Sequence, residues 1–377
     1  MPRGILKIMK PEFVFVACRY GSENLCKQEI AEQCTDLRFS FSQKGFLTFK
    51  ADKSTANFQK INSLTFARLA GISLGSIDAE GPEFYNHLEE ILSKSECLQK
   101  VKHLHVWDRN LGSGDEVLLE WLANGGSGSN HPIATDELSK FCSQKGWAIN
   151  RHAKQDDHVI DLIRMDKNQY WIGYHVVESG QQCIPGGVPI FGVPEKIVSR
   201  AYFKTREAIH WSRIPFQEGD VCVEIGSAPG GSSQALLTKK LRVVGVDPAD
   251  MDPSIVANPN FLQIKKRISD LRKKDIADAR WLLSDSNVAP GYTLDTVEDI
   301  VQNQYMNIKG MILTFKIMQE KQIKDLPTYR EQIRSLGFRY VRMRQLAFNR
   351  QELCVVALKN KSMLRFGRLK NKQKKST

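Results

Sequence analysis

The residues with the clearest chemical content lie between 220 and 247. Asp220-Val-Cys-Val-Glu-Ile-Gly-Ser-Ala-Pro-Gly-Gly-Ser-Ser-Gln234 reads as an apolar strand breaking into a glycine-rich turn, with Ser232 placed to cap the helix that follows. Glycine there lets the backbone come close to a ligand, which a bulky side chain would prevent. The spacing, Gly226-x-x-x-Gly230-Gly231, departs from the Gly-x-Gly-x-x-Gly that seats a dinucleotide pyrophosphate, so a ligand without a pyrophosphate is favoured. One strand on, Val243-Val-Gly-Val-Asp247 ends in an acid at the carboxyl edge of the sheet, where such folds bind ligands and a carboxylate accepts both hydroxyls of a ribose. Singly, the turn and the acid would serve packing as readily as binding. Together they suit the adenosine and amino-acid parts of S-adenosylmethionine. Lys316 closes the apolar strand 311–315 at the same edge, so its neighbours are expected to be buried, unlike those of most of the 54 Lys and Arg. His103 and His105 share a strand face but lack a third ligand nearby, which favours packing over a metal site.

Positioning these groups requires a sheet, and the pattern after residue 198 supplies one. Short apolar strands at 221–225, 242–246, 261–264, 281–284, 311–315, 340–343 and 353–358 alternate with helical stretches, the signature of a mostly parallel, doubly wound, Rossmann-like α/β fold. The first part of the chain reads differently. A strand at Phe13 to Cys18, a helix from Ser22 to Gln33, a strand placing Leu37, Phe39 and Phe41 on one face, a partner strand at 46–49 and a helix over 54–61 suggest a ferredoxin-like α+β arrangement. A second block bears strands near 101–107, 159–165 and 170–177. Seven Gly or Pro among residues 180–194 suggest a linker. The expected organisation is therefore 1–75, 76–180, a linker at 181–198, 199–360, and a flexible basic tail at 361–377.

Composition narrows the class. A 377-residue chain with 41% hydrophobic and 25% charged residues has room for two or three globular cores. No apolar run approaches the roughly 20 residues of a membrane span, and the first residues lack a signal-peptide core, so a cytoplasmic protein is expected. The eight cysteines are scattered without Cys-x-x-Cys spacing, which fits reduced, mostly buried thiols and no metal centre. Of the net charge of +12, eight basic residues unopposed by any acid lie from Lys359 to Thr377, a segment suited to phosphates or to solubility alone.

With these residues in view, a resemblance emerges. Ile225-Gly-Ser-Ala-Pro-Gly-Gly231, preceded by Ser199-Arg-Ala-Tyr-Phe-Lys204 and followed by Leu283-Ser-Asp285 and Leu313-Thr-Phe-Lys316, resembles the FtsJ/RrmJ-type ribose 2′-O-methyltransferases. The whole chain is similar to the RlmM-like enzymes, which methylate a cytidine of large-subunit ribosomal RNA and carry an N-terminal THUMP-related RNA-binding region; the stretches Phe15 to Cys26, Ser63 to Arg68 and Trp171 to Tyr174 carry this wider similarity. The resemblance implies a catalytic tetrad of Lys204, Asp285, Lys316 and Glu352. It also implies cofactor contacts from Ser199, Gly226, Ser227, Ala228, Pro229, Gly230, Gly231, Asp247 and Asp285. Where the family has an acid near the adenine, a direct register gives Arg267, and only a shifted loop offers Asp270. The implied roles are Lys316 as the base, Lys204 as a second cation, Asp285 orienting Lys316, and Glu352 holding Lys204 or the ribose, with no metal. An ordinary lysine titrates near 10.4, so a lysine base depends on burial and on nearby positive charge. RNA is the implied partner, and no oligomeric state follows. Two other classes remain: a non-catalytic RNA-binding or assembly protein with a degenerate fold, and a nicotinamide-dependent oxidoreductase, which the glycine spacing disfavours.

Overall fold

Runs of β-branched and aromatic residues lay down two separate sheets. The computed structural model describes residues 13–51, 57–95, 98–111, 113–125, 135–178, 180–285, 288–317 and 320–361, which fall into two compact units, Met1–Val193 and Pro194–Thr377. Of the basic tail only Lys361 is among them.

The first unit contains β1 (Phe13–Cys18), α1 (Glu23–Gln33), β2 (Leu37–Gln43), β3 (Phe46–Ala51), α2 (Phe58–Ile61), β4 (Ala67–Asp78), α3 (Gly81–Ser93), β5 (Val101–Asp108), α4 (Asp115–Ala123), α5 (Thr135–Lys145), β6 (Ala148–Ile149), β7 (His158–Arg164) and β8 (Gln169–Val176). Its eight strands form one sheet in the order β2-β3-β1-β4-β8-β7-β5-β6. The first four, in β-α-β-β-α-β sequence with antiparallel pairing, have the ferredoxin-like arrangement. β4 pairs with β1 through its first half and with β8 through its second, so the expected border at 75/76 falls inside a strand common to both blocks.

Glycine makes this sheet possible at its centre. A Cβ on Gly173 would lie 2.4 Å from the Phe15 ring, and one on Gly71 would lie 2.7 Å from it. The expected linker also behaves otherwise in its first half, because residues 181–189 are buried within this unit. Gly186 (φ +58°) and Gly187 (φ +71°) adopt left-handed turns against Trp107, Leu111 and Arg68, where a side chain would collide. β2 departs from simple alternation. A register shift between Phe39 and Phe41 sets Phe39 opposite Phe49 but Phe41 opposite Thr48, so the two rings do not share a face. His103 and His105 lie against Asp157 (3.2 Å) and the Arg151 carbonyl (3.1 Å). Among the described residues no group of three or more His, Cys, Asp or Glu gathers as a metal site, and no helix is long and apolar enough to cross a membrane. The seven described cysteines are free and buried.

The second unit contains α6 (Ala201–Ser212), β9 (Val221–Ile225), α7 (Gly231–Leu237), β10 (Arg242–Val246), α8 (Pro253–Val256), β11 (Phe261–Ile264), β12 (Trp281–Ser284), α9 (Pro290–Val301), β13 (Gly310–Lys316), α10 (Leu326–Ser335), β14 (Tyr340–Arg344) and β15 (Glu352–Leu358). The seven expected strands all form, with bounds within one residue. Sheet order is β11-β10-β9-β12-β13-β15-β14, parallel through β13, with β15 antiparallel between β13 and β14. Trp211, Cys222, Val243, Trp281, Leu283, Ile312 and Val356 are among the buried residues packed together on one side of the sheet. Each fully buried side chain of Leu or Ile size contributes roughly 1.5–3 kcal/mol.

Candidate active site

The glycine-rich turn sits where β9 ends. Gly226 (φ +76°) and Gly230 (φ +116°) occupy backbone conformations that side chains disfavour, and Gly230 caps α7. Ser232 therefore lies inside the first turn of the helix rather than at its cap, and its hydroxyl accepts a hydrogen bond from Thr205 Oγ1 (2.9 Å) on α6. Ser199 packs directly on Gly231, where an added Cβ would come 2.1 Å from Ser199 Oγ. Ser227 Oγ occupies the space over Gly245 that a Cβ would fill, and contacts Met251 Sδ. Asp247 follows β10, and its carboxylate accepts from the backbone N–H of Ala228 (3.1 Å) and of Ala249 (2.8 Å). Each oxygen keeps further lone-pair capacity for a hydroxyl donor. Asp270 and Arg267 both lie beyond β11 and are exposed; the Asp270 carboxylate accepts only from Ser269 Oγ (3.1 Å) among the described residues.

Three strand ends and one helix converge next to this turn. Ile225 and Ser284 are register partners, so Gly226 and Asp285 leave adjacent strands side by side. α6 brings Lys204 to Asp285 (Nζ to Oδ1, 2.7 Å) and to Glu352 (Nζ to Oε1, 3.5 Å). The three side chains are only 13%, 10% and 17% exposed, so the attraction is screened far less than at a surface. Lys316 closes β13 directly opposite Glu352 in the antiparallel register. All four tetrad positions are thus assembled at one edge, with Asp285 engaged by Lys204.

The sequence profile of the FtsJ-like methyltransferases matches residues 197–354, the span that builds this turn and this ion cluster. The C-terminal unit is an FtsJ-like methyltransferase domain. The chain is also similar over most of its length to proteins named ribosomal RNA large subunit methyltransferase M. That of Saccharophagus degradans is 27% identical over 363 residues, covering 89% of this chain and 96% of the relative. Those of Aliivibrio salmonicida and Pasteurella multocida are each 23% identical, covering 91% of this chain and 96% and 98% of theirs.

Two acids of the methyltransferase unit escaped the sequence reading. Glu224, inside β9, is buried, and this burial, reinforced by Asp285 and Asp247, pushes its pKa up to about 8 despite a hydrogen bond from Ser233. It therefore holds a proton at neutral pH and adds no negative charge beside Asp285. An acid within the apolar run Val221 to Ile225 was the available signal. Glu207, on α6, is 1% exposed and accepts from the backbone N–H of Ala347 (2.9 Å) and of Phe348 (2.8 Å). Nothing local marks it, because its partners lie 140 and 141 residues away.

Proposed function

We propose that this protein transfers a methyl group from S-adenosylmethionine to a ribose 2′-hydroxyl of RNA, on a cytidine of large-subunit ribosomal RNA in the cytoplasm. The observation that carries the reading is the convergence of Lys204, Asp285, Glu352 and Lys316 beside the Gly226 to Gly231 turn. The cradle fits the cofactor: a side-chain-poor turn backed by Ser199, with the Asp247 carboxylate one strand away to accept ribose hydroxyls. When bound there, S-adenosylmethionine supplies a methyl group already activated by its sulfonium.

What remains for the protein is alignment and proton removal. Lys316 holds the position of the base that takes the hydroxyl proton, at the open end of β13. Lys204 adds a second positive charge at the site, and Asp285 and Glu352 fix its place. The N-terminal unit, with its ferredoxin-like half and THUMP-related remainder, serves in this reading to hold RNA away from the reacting nucleotide. Charge is uneven: residues 1–193 contain 21 Lys or Arg against 23 Asp or Glu, and residues 194–377 contain 33 against 19. The phosphate-neutralising term therefore belongs mainly to the methyltransferase half. A non-catalytic RNA-binding role is disfavoured, since all four tetrad types are intact and Lys204 is paired to both acids.

The test is incubation of wild type and Lys316→Ala with labelled S-adenosylmethionine and unmodified large-subunit rRNA, followed by nuclease digestion and mass spectrometry. Label on one cytidine ribose, absent with the variant, is expected. A wild type that binds cofactor but labels no RNA would end this reading.

A further inference from the structure

We infer that Glu207 is a positioning residue for the methyl-transfer site, locking the loop that delivers Glu352 to the helix that delivers Lys204. The inference rests on the function proposed above, and it begins from a buried carboxylate that the chemistry itself does not use. Burying an ionised carboxylate is costly unless its oxygens are hydrogen-bonded. Glu207 meets that condition by accepting two successive backbone N–H groups, those of Ala347 and Phe348, one on each oxygen.

The loop it grips, residues 345–351, joins β14 to β15 and is tied down along its length. Leu346 N–H donates to Asn349 Oδ1 (2.9 Å), Gln345 Nε2 donates to the Arg350 carbonyl (2.9 Å), and Arg200 donates to the Phe348 carbonyl (2.5 Å). The Phe348 ring stacks on Phe203 of α6, with centroids 5.3 Å apart and planes inclined by 15°. At its far end the Gln351 carbonyl accepts from Ile317 N–H (2.7 Å), the residue after Lys316, and Glu352 follows at once.

One helical turn separates Lys204 from Glu207. The clamp therefore fixes both ends of the 3.5 Å contact between Lys204 and Glu352, and through Gln351 it also fixes the end of β13. Held side chains of this kind matter because a displacement near 1 Å at a reacting centre costs on the order of 100-fold in rate.

Glu207→Gln keeps one acceptor but turns an NH₂ toward the second N–H, breaking one of the two bonds. Phe348→Ala loosens the same loop from its other side without touching a charge. The full-length variants are compared with wild type for kcat, KM for rRNA, cofactor Kd and the pH–rate profile, each rate being divided by the folded fraction. Both variants are expected to lose tenfold or more in kcat with cofactor Kd and RNA KM within twofold, and to move the midpoints of the pH–rate profile. The double variant is expected to lose about what the worse single variant loses. A clamp that only stabilises the fold would lower activity in proportion to folded protein and leave the midpoints fixed, and that result overturns the inference. An inactive wild type would remove the proposed function itself, whereas an active wild type with variants of unchanged kcat would remove only the role of Glu207.

Discussion

Gly230→Ala is the sharpest perturbation of the cofactor turn, because two independent costs can be worked from the structure. The native backbone has φ +116° and ψ +12°, a region where a side chain costs about 1–3 kcal/mol. The added methyl would also lie 2.8 Å from Ile255 Cγ1 and 3.1 Å from Met251 Cε, an overpacking worth about 1–3 kcal/mol. The sum is at least about 2 kcal/mol. If the turn relaxes to escape, cofactor affinity carries the cost, and about 2 kcal/mol is a roughly 30-fold rise in Kd. If the turn keeps its shape, the fold carries it, and the melting temperature of this unit falls by about 4 °C or more. Titration calorimetry with S-adenosylmethionine and thermal unfolding together capture both routes. Gly291→Ala is the control, since a Cβ there meets nothing within 4 Å and the site is helical. Unchanged Kd and unchanged melting temperature in Gly230→Ala would refute the reasoning.

Three further outcomes are expected. Gly173→Ala should lower the unfolding temperature of the N-terminal unit, and Phe15→Leu in the same chain should restore part of it, since the collision is with that ring. Burial holds the His105 pKa down at about 4, so the unfolded chain takes up a proton near pH 6.5 that the folded one refuses. Stability in urea should therefore fall as pH drops from about 6.5 to 4, with a shallower slope in His105→Gln; His158, also lowered by burial, accounts for part of what remains. Burial opposes the charge on His175, but Asp161 holds its pKa above the ordinary histidine value, so its contribution is intact throughout that window and is lost only at higher pH. Ending the chain after Lys361 removes six basic residues, and RNA binding should weaken and lose salt dependence; an unchanged slope of log K against log salt would exclude the tail from binding.

How far the sequence could be read depended on whether local pattern or distant contact decided the outcome. The parallel strands of the methyltransferase unit were legible because each is a short apolar run, with Asp247 directly after β10 and Lys316 at the end of β13. β4 was not, because its first half is buried on both faces and so shows no alternation, and Gly71 and Gly75 interrupt its apolar run. The Gly/Pro run at 180–194 reads as a linker by composition, yet Gly186 and Gly187 are there to fit against Trp107 and Arg68, which only tertiary structure brings near. The same limit hid the inversion of Phe41, set by a bulge, and the burial of Glu207, set by a loop 140 residues on.

The insertion of β15 between β13 and β14 has a consequence for how the protein is made. Among the described residues β14 pairs only with β15, and Glu352 opens β15, so the sheet and the Lys204 contact both wait for an element made nearly 150 residues after Lys204. Closing a loop of nearly 150 residues is slow relative to forming the local helices, and it cannot begin early. A nascent chain that has emerged past Asp285 holds the glycine turn, Asp247 and one of the two acids paired with Lys204, yet it lacks Glu352. The turn with Asp247 and the ion cluster around Lys204 are in this way completed at different times.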